Sequence, residues 1–145
     1  MDVRFFRQVH DDLRCLIADC DDEALNFVPC SGANSIATIV THLVGSEAEA
    51  LKAVAGVPVT RDRDSEFTWG RQSAGEVLRQ LDEADRLLDE LAGALTEARL
   101  AASVTLPTMP RTDVRPGITW LIGNFGHARE HVGHAALTKQ LYDAA

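Results

Sequence analysis

The chain has 145 residues, 46% of them hydrophobic and 25% charged, a composition typical of one globular domain spanning residues 1–145. The formal net charge is -8, and phosphate groups attract clustered Lys and Arg, so neither nucleic acid nor an anionic membrane is expected as a partner. The sequence lacks an apolar run long enough to cross a bilayer, and its N-terminus lacks the apolar core of a signal peptide. These features predict a cytoplasmic protein.

The first predicted helix covers residues 3 to 19, where apolar side chains recur at helical spacing. Cys15, Cys20 and Cys30 lie in or just after it. Their number is odd, their spacing is not CxxC, and a reducing compartment is expected. We therefore predict free thiols, with Cys15 half-buried on the helix, rather than a metal or disulfide role.

A second helix is predicted after a segment rich in turn formers. Asn34 or Ser35 can cap its N-terminus, and its apolar stripe continues to about Ala55. The segment 56–72, "GVPVTRDRDSEFTWGRQ", then forms a loop. Loops of this length within a compact domain are often functional.

A third helix is predicted to open at Ser73, because "SAGE" places Glu76 at the third position of a capping box. Apolar residues then alternate by four and three. They are Val77, Leu81, Ala84, Leu88, Leu91 and Leu95. Such a seam favours near-antiparallel packing in a helical bundle.

The last predicted helix begins near Gly117 or Ile118 and runs to about Tyr142. A Pro-rich connection precedes it, and "ASVTL" is the one segment that suggests a short strand. The pattern as a whole predicts an all-α protein with four helices.

Three histidines share one stripe of the last helix. His127 and His131 are four residues apart, and His134 falls on the same side, as do Trp120 and Asn124 one to two turns earlier. A large ring and an amide beside imidazoles are typical of a pocket lining. Two imidazoles at this spacing can bind one metal ion. The residues alone are equally compatible with a hydrogen-bonded polar core.

A third metal ligand would have to come from another helix. His42 lies on the second helix, at the edge of its apolar stripe, where a half-exposed side chain is expected. His10 lies in "QVHDD", among charged and polar residues, and is expected at the surface.

The segments "SGANSIATIVTHLVGSEAEAL" and "HAREHVGHAALTKQL", with "FTWG" and "SAGEVLRQLDEA" between them, resemble the DinB-like superfamily. This superfamily includes DinB and YfiT-type metalloenzymes and the metal-binding domain of mycothiol-dependent maleylpyruvate isomerase. The resemblance spans almost the entire chain and implies a four-helix bundle with up-down-down-up connections. It also implies a divalent metal ion bound by His42, His127 and His131. The family motif commonly continues H-x-G-Q, whereas this chain has His134 in place of the glutamine. This departure leaves three roles open for His134: a fourth metal ligand, a hydrogen-bond donor to a ligand residue, or no role at the site. We expect one of the last two.

The resemblance implies chemistry on low-molecular-weight thiols such as mycothiol, bacillithiol or glutathione. A metal-dependent thiol S-transferase or a related hydrolase, acting on a small molecule, is the function it favours. A non-catalytic metal- or ligand-binding bundle in a stress response is one alternative. A structural dimerisation domain with a polar histidine core is another. Zinc, nickel and iron are all suited to imidazole ligands, and a homodimer is expected from the resemblance alone.

Other candidate site residues have two interpretations each. Glu49 lies two turns after His42 on the same side of its helix, so it is either the base or orienting carboxylate of the site or a solvated side chain. Trp69 either reaches over the site from the long loop or has a structural role in the core or as a cap of the bundle. Arg71 either binds a substrate carboxylate or lies at the surface.

Overall fold

The computed structural model describes residues 2–145, and four long helices account for most of this part of the chain. The helices are α1 (Arg4–Ala18), α2 (Asp22–Asn26), α3 (Ile36–Ala55), α4 (Ala74–Ala92), α5 (Glu97–Ala101) and α6 (Gly117–Ala144), with a 3-10 turn at Asp64–Phe67. The strands β1 (Ser103–Val104) and β2 (Arg115–Pro116) pair antiparallel. The predicted all-α class is confirmed, and the segment "ASVTL" contributes only the two residues of β1.

The helix ends lie where the caps predicted them. The side chain of Ser35 accepts a hydrogen bond from the backbone N–H of Thr38 at the start of α3. Ser73 and Glu76 form a complete capping box at the start of α4. Gly56, directly after α3, caps its C-terminus with a φ of 77°, in the left-handed region where a side chain would be strained. Local chemistry therefore defines both ends of α3 and the start of α4.

Ion pairs show that α1 and α4 run antiparallel. Arg7, early in α1, pairs with Asp89, late in α4. Arg14, late in α1, pairs with Asp82, early in α4.

By the same reasoning α1 and α6 run parallel. Phe5 packs edge-on against Phe125 at a centroid distance of 4.9 Å. One to two turns further along both helices, Asp12 pairs with Arg129.

In contrast, α3 runs antiparallel to α6. Ser46, in the middle of α3, accepts a hydrogen bond from Asn124. Val54, at the end of α3, lies beside Gly117, at the start of α6. With α1 and α6 parallel, and with α3 and α4 both opposed to them, the up-down-down-up connections are confirmed.

The core consists of two clusters of buried apolar side chains, stacked along the bundle. The first joins all four long helices and includes Leu13, Val40, Leu81 and Ala128. The second lies toward the start of α6 and includes Trp120 and Leu121. Among residues 2–145, no helix is long and apolar enough to cross a membrane.

The long connection between α3 and α4 folds back onto α3. Its 3-10 turn packs against that helix, and Glu66 within the turn is buried. At the end of the connection, the buried side chain of Gln72 donates a hydrogen bond to the hydroxyl of Thr41, at 3.0 Å. The connection thus forms one wall of the region around His42.

Candidate metal centre

Three imidazoles meet between α3 and α6. His42, His127 and His131 each offer one ring nitrogen, and these nitrogens lie within 4.8 Å of one another. The centroid of the His42 ring is 5.3 Å from that of His127 and 5.1 Å from that of His131. The antiparallel packing of α3 and α6 produces this meeting. The expectation from the residue pattern that His42 is half-exposed was wrong, because α6 and the 3-10 turn cover it to 8% exposure.

The spacing of the nitrogens fits a divalent cation. Nε2 of His131 lies 3.0 Å from Nε2 of His127. Metal–nitrogen bonds of about 2.0–2.1 Å place two ligand nitrogens roughly 2.9 Å apart at a right angle and roughly 3.4 Å apart at a tetrahedral angle. The observed separation lies in this range, so the pair can bind one ion without a change of helix geometry.

Electrostatics keep the three rings neutral. Burial lowers the pKa of His42, and the hydrogen bond that its ring donates to Glu66 offsets this only in part. Burial and the neighbouring imidazole of His42 lower the pKa of His127. Burial and the imidazoles of His127 and His42 lower the pKa of His131 to about 4. Neutral imidazole is the form that binds a metal ion, so the site is prepared for a ligand role at neutral pH.

His42 is hydrogen-bonded to a buried ion pair formed by Glu66 and Arg61. Its Nδ1 lies 2.8 Å from Oε2 of Glu66, and Arg61 donates to Glu66 from Nε at 2.7 Å. Sequence reasoning missed both Glu66 and Arg61. They lie in "RDRDSEF", which has the pattern of a solvated charge run, and no periodicity marks a buried position in it.

Glu49 is buried, at 2% exposure, so its interpretation as a solvated side chain was wrong. Its Oε2 accepts from Arg61 at 2.6 Å and from the hydroxyl of Thr108 at 2.8 Å, and its Oε1 accepts from the backbone N–H of Thr108 at 2.9 Å. Within residues 2–145, Glu49 makes no hydrogen bond to a histidine. Hydrogen bonds connect it to His42 through Arg61 and Glu66.

The other histidines lie outside the trio. His134 is exposed and lies 3.9 Å from Glu130; its ring centroid is 5.5 Å from that of His131. The prediction that His10 lies at the surface was wrong. His10 is fully buried, with hydrogen bonds to Glu47 and Asp85. Its helix packs against α4 and α6, and the polar appearance of "QVHDD" does not reveal this.

The remaining candidates are dispersed. Asn124 donates to Ser46, and Trp120 is buried in the second core cluster, where its indole N–H donates to the carbonyl of Val104. Trp69 is 61% exposed. Arg71 pairs with Glu23 at the surface. Neither tryptophan makes an aromatic contact with the three rings in the part of the chain that the structure describes.

The three cysteines are free thiols throughout the described residues, as predicted. Cys15 is exposed rather than half-buried, because the faces of α1 that pack into the bundle leave this position at the surface.

Two cavities lie near the trio. The first, of about 340 Å³, has His131 in its wall and is lined by apolar side chains from α6 and from the segments before and within α3. We call it the α6 cavity; its apolar lining includes Pro29, Ala33, Ile39, Leu137 and Leu141. The second, of about 500 Å³, lies between α3, α4 and the long loop. Glu66, Arg61 and Trp69 line it, but none of the three histidines does.

The family model of the DinB superfamily matches residues 6–135. This chain belongs to the DinB superfamily. A search of curated proteins and a search of solved structures each found no match. The family match confirms the resemblance seen in the sequence. It spans α3 and α4, most of α1 and the first two thirds of α6, and it includes the positions of the three converging histidines.

Proposed function

We propose that this DinB-superfamily protein is a divalent-metal-dependent enzyme, a thiol S-transferase or a related hydrolase. The observation that carries the proposal is the convergence of three neutral imidazoles from two helices within 4.8 Å. A structural polar core would pair such nitrogens with oxygen acceptors. Here two Nε2 atoms face each other instead, an arrangement that a shared cation stabilises.

His42, His127 and His131 would hold the ion. Because all three ligands are neutral, they would leave its positive charge undiminished. When bound, such an ion lowers the pKa of a coordinated thiol or water and so supplies a nucleophile at neutral pH. Zinc, nickel and iron remain the candidate ions, because imidazole ligands suit all three.

The α6 cavity supports a small-molecule substrate with an apolar part. Ile39, Leu137 and Leu141 offer an apolar lining, and His131 forms part of the same wall. A ligand that fills the cavity would therefore have its apolar part against α6 and its reacting atom next to the trio. Apolar cavities of about 300–1,000 Å³ with a few polar groups are typical of ligand sites.

One observation favours the alternative of a non-catalytic metal-binding module. Glu49 is the carboxylate that the sequence offered as a base, and both of its oxygens accept hydrogen bonds from Arg61 or Thr108. Glu66 is likewise engaged with His42 and Arg61. A carboxylate with its lone pairs engaged is a poor general base.

Metal analysis and turnover test the proposal in sequence. Protein purified without a His-tag should contain close to one equivalent of a divalent metal, and the His127→Ala variant should lose it. His134→Ala is the matched control, since His134 is exposed and outside the trio. Wild-type protein should then consume an electrophile in the presence of mycothiol, bacillithiol or glutathione, or hydrolyse an ester or amide.

The outcomes separate the candidates. Turnover that is retained in His127→Ala would refute the metal-dependent enzyme. Metal binding without turnover of any substrate would support the non-catalytic module.

A further inference from the structure

Hydrogen bonding determines which nitrogen of His42 carries the proton. Nδ1 lies 2.8 Å from Oε2 of Glu66 and 3.4 Å from Nη2 of Arg61. An ionised carboxylate only accepts and a guanidinium only donates, so a neutral imidazole can satisfy one of these contacts at a time. The Glu66 contact has the length of a strong hydrogen bond, whereas the Arg61 contact lies at the long, weak end of the range. The proton therefore lies on Nδ1, and the lone pair lies on Nε2.

Glu66 is itself held in place by charge. Arg61 donates to both of its oxygens, from Nε at 2.7 Å and from Nη2 at 3.0 Å. The other terminal nitrogen of Arg61 binds Glu49, which Thr108 holds in turn. The side chains of Arg61 and Glu66 are 8% exposed, and that of Glu49 is 1% exposed. A forked pairing buried to this degree restricts the Glu66 carboxylate to one position.

The α3 helix has a notch at the point where this carboxylate approaches. Gly45 lies three residues after His42, and a Cβ atom at this position would lie 2.3 Å from Oε1 of Glu66 and 3.5 Å from Nε of Arg61. Only glycine leaves space for the carboxylate beside the helix. Gly123 on α6 differs, because a Cβ there meets nothing within 4 Å.

We propose that Glu66, seated against Gly45, is a positioning residue that keeps the His42 proton on Nδ1 and directs the Nε2 lone pair toward His127 and His131. The tautomer assignment depends only on the hydrogen bonds of the protein. The use of that lone pair for a metal ion rests on the proposed function. The loop between α3 and α4 thereby determines the tautomer of His42 on α3, which lies 24 residues before Glu66 in the sequence.

NMR of the metal-free protein tests the tautomer directly. Nitrogen-15 shifts of the His42 ring in wild type should show a protonated Nδ1. Glu66→Ala removes the acceptor, and Gly45→Ala keeps Glu66 but displaces its carboxylate, so both should shift His42 toward the Nε2-protonated form. Gly123→Ala should retain the wild-type pattern. Circular dichroism confirms that each variant is folded.

Zinc affinity, measured against a chromophoric chelator, is the second readout. Orienting partners of histidine ligands typically contribute about 10–100-fold in metal affinity. Glu66→Ala and Gly45→Ala should weaken zinc binding by this factor, and Gly123→Ala should not. If wild type binds no zinc, the proposed function fails while the NMR result still judges the positioning role. An unchanged His42 tautomer in folded Glu66→Ala would overturn the inference.

Discussion

Replacing His10 by leucine removes the partner of a buried carboxylate. His10 is fully buried between α3 and α4, with Nε2 2.9 Å from Glu47 and Nδ1 2.8 Å from Asp85. Both ring nitrogens face carboxylates, and this pairing favours the protonated imidazolium form of the ring. Glu47 is 1% exposed. Its Oε1 has no partner within residues 2–145, so His10 is its one hydrogen-bonding group there.

The expected loss of stability follows from the fact that His10 is the hydrogen-bonding partner of Glu47, whereas Asp85 has other partners. Removing one partner of a buried ion pair costs about 3–5 kcal/mol, a large share of the roughly 5–15 kcal/mol that stabilises a typical domain. His10→Leu should reach this range because Glu47 is left without a partner. Glu47→Leu should cost less, since Asp85 still pairs with the imidazolium. In the double variant the core becomes apolar, and Asp85 keeps its 2.7 Å pair with Arg14, so most of the His10→Leu loss should be recovered.

Urea unfolding of the wild type, both single variants and the double variant at about pH 6 measures these terms as a double-mutant cycle. The double variant should be more stable than His10→Leu alone. Two results would contradict the idea that Glu47 is left buried without a partner. One is that the losses in free energy of unfolding of the two single variants simply add in the double variant, and the other is that His10→Leu loses less than about 1 kcal/mol.

Three further predictions concern pH, capping and metal binding. Burial lowers the pKa of His10, but the hydrogen bonds and charges of Glu47 and Asp85 outweigh this effect and raise the pKa above its ordinary value of 6.5. The ion pairs of His10 therefore contribute fully to the free energy of unfolding below pH 6.5, and this contribution is lost as pH rises through the raised pKa of the folded state. Urea curves across this range should show that decline in wild type and not in His10→Leu. Ser73→Ala removes the capping box of α4 and should lower the free energy of unfolding by about 0.5–2 kcal/mol. An unchanged urea midpoint would contradict a stabilising role for this cap. Zinc at 100 times its dissociation constant should raise the free energy of unfolding by about 2.7 kcal/mol, reversibly with chelator, and the gain should be absent in His127→Ala.

The helices were predictable because their signals are local. Ser35 and Ser73 cap helices through bonds to the next turn, and the apolar seam that starts at Val77 needs only the helical period to be recognised. The same holds for His127 and His131, whose ring centroids lie 4.3 Å apart because four residues make about one turn. Their convergence with His42 was implied by the family resemblance, whereas the residue pattern alone placed His42 at a half-exposed edge.

The sequence by itself determined where each long helix begins, which face is apolar and that two imidazoles share one turn of the last helix. Only the tertiary structure decided that Glu66 meets His42, that Glu49 is clamped by Arg61 and Thr108, and that His10 is buried between two carboxylates. Each of these contacts joins parts of the chain that are not neighbours in sequence. A charged side chain enters the core only where a distant partner compensates its loss of hydration, and no local pattern records the position of that partner.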